Sequence, residues 1–287
     1  MENPSALLRR YGLTPRKALG QNFLVDPGIS VRIVDQAELG VEDTVLEVGA
    51  GLGAMTAELA ARAGRVIAVE TDPHLVEILH QELGALHNVS IVHGNILDLD
   101  PTALLDVAGA SSLPLWGTLV PHYAVVANLP YYITAAVLRH LLEAPVRPKQ
   151  MVVTVQREVA QRMTAGPGQM SLLAVSIQFY STPRVCLRLK RGAFYPPPNV
   201  DSAVVRLDLH PEPPVPVSDV ARFFQVVRAG FAQRRKQLRN TLAASLDLSP
   251  SNVVEALEAV DVDPRRRAET LSLPEWGAVV ASLSPRL

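Results

Sequence analysis

A single cysteine, Cys186, among 287 residues excludes an intramolecular disulfide and any cysteine-based zinc site. The seven histidines are scattered, with no H-E-x-x-H or similar pairing, so no metal is expected. No apolar run approaches the roughly 20 residues of a membrane span. The stretch from Met1 to Lys17 lacks the apolar centre of a signal peptide. With 48% apolar residues the chain reads as globular, cytoplasmic and without a membrane partner. Its length exceeds one typical domain and is short for three.

Lysine is also scarce, standing only at positions 17, 149, 190 and 236, so arginine carries nearly all the positive charge. That bias suits phosphate recognition. The net charge of −1 hides an asymmetry. Between Asp35 and Asp106 the only basic residues, histidine aside, are Arg62 and Arg65. Beyond Pro183 the balance reverses, with Arg184, Arg188, Lys190 and Arg191 free of nearby acids. Arg222, Arg228, Arg234, Arg235, Lys236 and Arg239 follow in an acid-free stretch that reads as helical. Such halves suggest that one part grips an anionic partner and the other binds something else. The plain alternative is a solvated basic helix face.

Short apolar runs alternate with helical patterns. Thr44-Val-Leu-Glu-Val48, Arg65-Val-Ile-Ala-Val69, Val89-Ser-Ile-Val92, Ala124-Val-Val-Ala127 and Met151-Val-Val-Thr-Val155 read as strands of a parallel sheet flanked by helices. Val185 to Leu189 and Ala203 to Leu209 read as an antiparallel pair at one edge. Pro101 to Pro121 reads as a helix-plus-loop excursion without chemistry. After the proline-rich linker from His210 to Ser218, helices are expected over Asp219–Ala232, Arg234–Leu246, Ser251–Ala259 and Pro274–Leu283.

Two motifs carry the chemistry. Glu47-Val-Gly-Ala-Gly-Leu-Gly53 follows the first strand with G-x-G-x-G spacing, not the G-x-G-x-x-G of a dinucleotide site. A carboxylate beside that loop would repel a pyrophosphate and suits a cationic cofactor such as S-adenosylmethionine. Glu70 closes the second strand, where a carboxylate accepts ribose hydroxyls, and Asn95 is placed for the adenine. Asn128-Leu-Pro-Tyr131 ends the fourth strand. An exocyclic amine on a nucleobase is a weak nucleophile, because its lone pair is delocalised into the ring. Two acceptors aimed at its hydrogens turn that lone pair out of conjugation. Asn128 offers a side-chain carbonyl. Leu129, held extended before Pro130, offers a backbone carbonyl. Tyr131 supplies a flat face for the base.

Leu19-Gly-Gln-Asn-Phe-Leu24, the two motifs above, Phe194-Tyr-Pro-Pro-Pro198 with Val200-Asp-Ser-Ala-Val-Val-Arg206, Gln233-Arg-Arg-Lys-Gln-Leu-Arg-Asn240 and Arg267-Ala-Glu-Thr-Leu-Ser272 occur in this order. Together they resemble the ribosomal small-subunit (16S) rRNA adenine dimethyltransferase family. The resemblance implies a Rossmann-like α/β sheet of the S-adenosylmethionine-dependent methyltransferase type, with an antiparallel edge and a small all-helical C-terminal domain. It implies dimethylation of two adjacent adenosines in the hairpin near the 3′ end of 16S rRNA, within an immature small ribosomal subunit. Asn22, Leu24, Glu47, Gly49, Gly51, Glu70, Asn95 and Asn128 would hold the cofactor. Asn128, Leu129, Pro130, Tyr131 and Phe194 would hold the flipped adenosine, sandwiched between Tyr131 and Phe194. Arg16 and Lys17, with the basic stretch from Arg222 to Arg239, would hold rRNA. The family usually has Asp, Pro and Asn where this chain has Asn95, Ala50 and Tyr132.

The expected organisation is an arm and cofactor lid over 1–35, the Rossmann-like domain over 36–210 and a helical rRNA-binding domain over 211–287, in a chain that is monomeric off the ribosome. Two alternatives are a large-subunit rRNA adenine methyltransferase of the antibiotic-resistance type and an assembly factor acting mainly by binding.

Overall fold

A computed structural model of the chain describes residues 2–107 and 123–286. The described chain forms two compact units. One comprises 1–160 with 184–209, the other 161–183 with 210–287.

The first unit opens with an arm. Helix α1 (Pro4–Arg10) starts on an Asn3 cap, strand β1 (Phe23–Leu24) follows, and Asp26 caps helix α2 (Pro27–Asp35). The arm is anchored by apolar burial. Leu7, Leu8 and Phe23 pack in one cluster with Leu52 of the Gly-rich loop and with Leu75 and Ile78.

Strands β2 (Thr44–Val48), β3 (Arg65–Glu70), β4 (Val89–His93), β5 (Tyr123–Asn128) and β6 (Gln150–Gln156) form the parallel body of a sheet. Strand β7 (Ser181–Leu189) lies at its edge, β8 (Phe194–Tyr195) pairs with β1, and β9 (Ser202–Leu209) runs antiparallel to β6. The order is β4-β3-β2-β5-β6-β9-β7. The central strands are continuous β-branched and apolar runs, as a parallel sheet covered on both faces requires. Helices α3 (Ala54–Ala60), α4 (Pro73–Leu83), α5 (Pro101–Val107), α6 (Thr134–Leu142) and α7 (Arg157–Met163) connect them. Of the excursion expected over 101–121, α5 is seen and the remainder lies outside the described residues.

Chain order reverses between β2 and β5, whose ends are level, with Val48 opposite Ala127. Ligands of open α/β sheets bind at such a switch point, beyond the carboxyl ends of the strands. The Gly-rich loop and the Asn-Leu-Pro-Tyr turn leave the sheet there side by side.

The second unit contains α8 (Leu172–Tyr180), α9 (Val220–Phe231), α10 (Leu238–Leu246), α11 (Pro250–Glu258) and α12 (Leu273–Leu283). Phe179 stacks on Phe223 at 4.7 Å between ring centres, and Trp276 is fully buried beside Phe231. Residues 161–183, expected within the Rossmann-like domain, belong to this helical unit. The helix expected from Arg234 begins only at Leu238, and residues 232–237 form a turn. Arg228, Arg235 and Arg239 therefore do not share one helix face.

Candidate active site

An open cavity lies at the switch point, with about 730 Å³ of empty space that includes open solvent. Its wall brings together Asn22, Gly49, Gly51, Glu70 and Asn95 with the whole Asn128–Tyr131 turn. Gly49 and Gly51 have φ of +76° and +60°, a region that glycine enters without strain. A Cβ on Gly49 would stand 3.7 Å from the Asn128 backbone oxygen, and one on Gly51 would stand 3.3 Å from the Phe23 ring. The two motifs and the arm thus meet at one point.

Glu70 organises the loop. One carboxylate oxygen accepts the N–H groups of Thr71 and Asp72 at 2.8 and 2.9 Å, and the other accepts that of Gly51 at 2.8 Å. Burial raises its pKa, opposed by those three backbone donors. The oxygen facing Gly51 accepts a single bond from the described residues and keeps a lone pair for a ligand hydroxyl.

Asp72 extends this network to the arm. Its carboxylate, almost fully buried, caps α4 through His74 N–H at 3.1 Å, accepts Gln21 Nε2 at 2.8 Å and pairs with Arg16 at 3.3 Å. Gln21 in turn accepts the Arg16 backbone N–H at 2.8 Å. Neither Asp72 nor Gln21 carries a local signal that marks it for this role in the sequence. Arg16, expected on rRNA, has its guanidinium turned onto Asp72.

The Asn128 amide donates its Nδ2 to the Asn22 backbone carbonyl at 2.9 Å, and Asn22 Nδ2 donates to the Gly20 carbonyl at 2.9 Å. Because a backbone carbonyl only accepts, the first bond fixes the amide with Oδ1 as its free acceptor. The Pro130 carbonyl receives Ile133 N–H and the Thr134 hydroxyl. Nothing among the described residues donates to the Leu129 carbonyl. The Tyr131 hydroxyl meets Ser202 Oγ at 2.6 Å, which holds its ring, and burial raises its pKa against the effect of that bond.

Three predicted residues are not in the wall. Glu47 is fully buried and lies outside the cavity lining. Burial pushes its carboxyl up to about 8, offset in part by the adjoining Thr56 hydroxyl and reinforced by Glu70. Neither oxygen meets hydrogen-bond geometry with a partner, Thr56 included. Burial disfavours its charged form, and it is not a charge on the cavity wall. Leu24 and Phe194 face each other across the β1–β8 pairing and sit in the apolar core with Ile33 and Val126. The expected sandwich of Tyr131 and Phe194 is therefore not formed here. Tyr195, the neighbour of Phe194 on β8, is the exposed one. Asn95 is exposed at the cavity and engaged locally, accepting from Leu97 N–H at 3.2 Å and donating to Asp98 at 3.0 Å.

In the helical unit, Arg228 and Arg234, Arg235 and Lys236 are exposed, while Arg222 and Arg239 are half-buried. Lys17 is exposed on the arm.

A reversed-order α/β sheet with an antiparallel strand beside β6, a glycine loop after β2 and a carboxylate closing β3 define the Rossmann-like methyltransferase class. The sequence model for ribosomal RNA adenine dimethylases matches residues 12–283. The chain belongs to that family. It is 47% identical to the ribosomal RNA small subunit methyltransferase A of Pelotomaculum thermopropionicum, over 96% of this chain and 94% of that protein. Identity to the Moorella thermoacetica protein of the same name is also 47%, over 97% and 96%. Among solved structures, the 23S rRNA methyltransferase ErmE superposes with TM-score 0.70 at 28% identity, covering 92% of this chain and all of that one. A dimethyladenosine transferase from Plasmodium falciparum superposes with TM-score 0.73 at 20% identity, covering 92% and 98%.

Proposed function

We propose that this chain dimethylates the exocyclic amines of two adjacent adenosines in the hairpin near the 3′ end of 16S rRNA, within the immature small ribosomal subunit, as a monomer using S-adenosylmethionine. The observation that carries this reading is the pair of open acceptors, Asn128 Oδ1 and the Leu129 carbonyl, next to a glycine loop and Glu70.

The wall fits such a cofactor. Glu70 keeps a lone pair for a ribose hydroxyl, and the Gly51 backbone leaves room where a side chain would crowd the Phe23 ring. S-adenosylmethionine would supply an electrophilic methyl group on a sulfonium. The chain's part is to hold the amine. Asn128 Oδ1 and the Leu129 carbonyl take its two hydrogens and turn its lone pair toward the methyl donor. Tyr131, held by Ser202, offers its ring to the base. Positioning and placed dipoles carry the acceleration. Among the described residues no histidine or lysine lines the cavity, in keeping with a proton that leaves only after the nitrogen becomes tetrahedral. A second methylation requires the same pocket to accept an amine with one remaining hydrogen.

A second reading, transfer to large-subunit rRNA, has only the 28% likeness to ErmE behind it, against 47% identity to small-subunit methyltransferases. Small subunits from cells lacking these methyl groups decide between them. Incubated with the protein and labelled S-adenosylmethionine, they should yield dimethyladenosine at two adjacent positions of 16S rRNA. Transfer to large subunits alone would support the second reading.

A further inference from the structure

Tyr132 has no role in the arrangement above. Its side chain is 64% exposed, more than any other aromatic among the described residues. Its ring lies against the arm, where a Cβ on Gly20 would stand 3.2 Å from ring Cε1 and 3.3 Å from Cδ1. Gly20 lines the cavity and has φ of +64°, so the absence of a side chain there leaves the ring free to rest on backbone. The backing is firm, because Gln21 and Arg16 tie this part of the arm to buried Asp72. Gly20 also closes the turn Lys17–Leu19, with its N–H donating to the Lys17 carbonyl at 3.0 Å. Lys17 is exposed and forms no ion pair among the described residues.

We propose that Tyr132 is a stacking platform for the nucleobase next to the adenosine in the cavity, with Lys17 on a phosphate of the same strand. The inference rests on the reading of the cavity as a nucleobase site. An aromatic ring supported on one side and open on the other, packed on a turn that also carries an exposed lysine, is the pairing that single-stranded nucleic acid recognises. Tyr131 and Tyr132 are consecutive, with Cα atoms 3.8 Å apart across a trans peptide. In this proposal their rings serve successive nucleotides. A flipped adenosine pulls its neighbour out of the stack, and a second ring at the mouth recovers the stacking lost. Stacking tolerates any base, so the platform serves whichever of two adjacent adenosines stays outside.

The test uses the full chain and small subunits from cells lacking the methylation. Tyr132→Leu should raise the KM for subunits about tenfold or more, with S-adenosylmethionine affinity within twofold of wild type and an unchanged melting temperature. Tyr132→Phe and Tyr132→Trp should keep the wild-type KM. Lys17→Ala should lower the salt slope of subunit binding by about one unit. An unchanged KM in Tyr132→Leu would overturn the platform. So would an equal loss in Tyr132→Phe, which would assign the effect to the hydroxyl, or a loss of cofactor affinity, which would make the ring a prop for the arm. An unchanged slope in Lys17→Ala would remove the phosphate contact. Wild-type protein that transfers no methyl to small subunits would instead refute the functional reading, and the platform with it.

Discussion

Asn128 Nδ2 donates to the Asn22 backbone carbonyl at 2.9 Å, joining the residue expected to orient the substrate amine to the arm that roofs the cofactor side of the cavity. The bond leaves Oδ1 as the open acceptor of the amide. It also couples the orientation of Asn128 to the seating of the arm on Asp72.

That coupling makes Asp72 a positioning residue. Asp72→Ala should lower kcat for methyl transfer at least several-fold while also costing about 1 kcal/mol of stability through the lost cap of α4. Asp72→Asn retains a good cap and should recover the stability but not the full rate. Steady-state kinetics beside thermal unfolding separate the two effects, and full activity in both variants would contradict the coupling.

Glu70→Gln should weaken S-adenosylmethionine binding at least tenfold. Its amide nitrogen would oppose the Gly51 N–H, and one acceptor would be lost where charge-assisted bonds contribute about 1.5–3 kcal/mol each. Glu70→Ala should lose stability as well, since three backbone N–H groups forfeit their acceptor. Calorimetric titration checks the first effect, and unchanged affinity would refute the ribose role.

Glu47 gives a pH signature. Its carboxyl is raised to about 8 in the folded chain against an ordinary 4.5, so the folded state binds the proton more tightly than the unfolded state. Its contribution to stability is fully present below about 4.5 and is lost as pH rises through about 8. Glu47→Gln should flatten the fall in unfolding free energy across that window, by an amount on the order of a few kcal/mol. Equal pH profiles for variant and wild type would show that the group is not buried neutral.

The basic turn after α9 should hold rRNA without touching the chemistry. Replacing Arg234, Arg235 and Lys236 with alanine should weaken binding to small subunits and lower its salt slope by roughly one unit per lost phosphate contact. Cofactor affinity should stay the same. Unchanged particle affinity and slope would mark the turn as a solvated surface.

The parallel strands were legible because strands buried on both faces are continuous apolar runs, and both loop motifs were legible because their chemistry is local. The rest depended on distant partners. β1 and β8 are two residues each, and nothing local says which ring of Phe194-Tyr195 turns inward; the pairing with Phe23-Leu24 decides it. The basic stretch carries no proline, and its one glycine, Gly230, lies inside α9 rather than at the break. The break follows from Leu238 and Arg239 donating backbone N–H groups to Arg266 and Pro264 at 2.7 and 3.2 Å. Helix α8, with Ser176 and Gln178 as its only polar residues besides terminal Tyr180, has no polar face to set a helical period. Glu47 was read as a wall charge because its burial depends on α3, which the motif alone does not place.

In the proposed reaction the chain orients an adenine amine with Asn128 Oδ1 and the Leu129 carbonyl. Single-turnover methyl transfer to unmethylated small subunits by Asn128→Ala tests it most directly, with cofactor and subunit affinities measured on the same protein. Loss of one preorganised acceptor predicts a rate about 10²–10³-fold below wild type, or about 2.7–4 kcal/mol, with both affinities little changed. A near-normal rate would contradict the account.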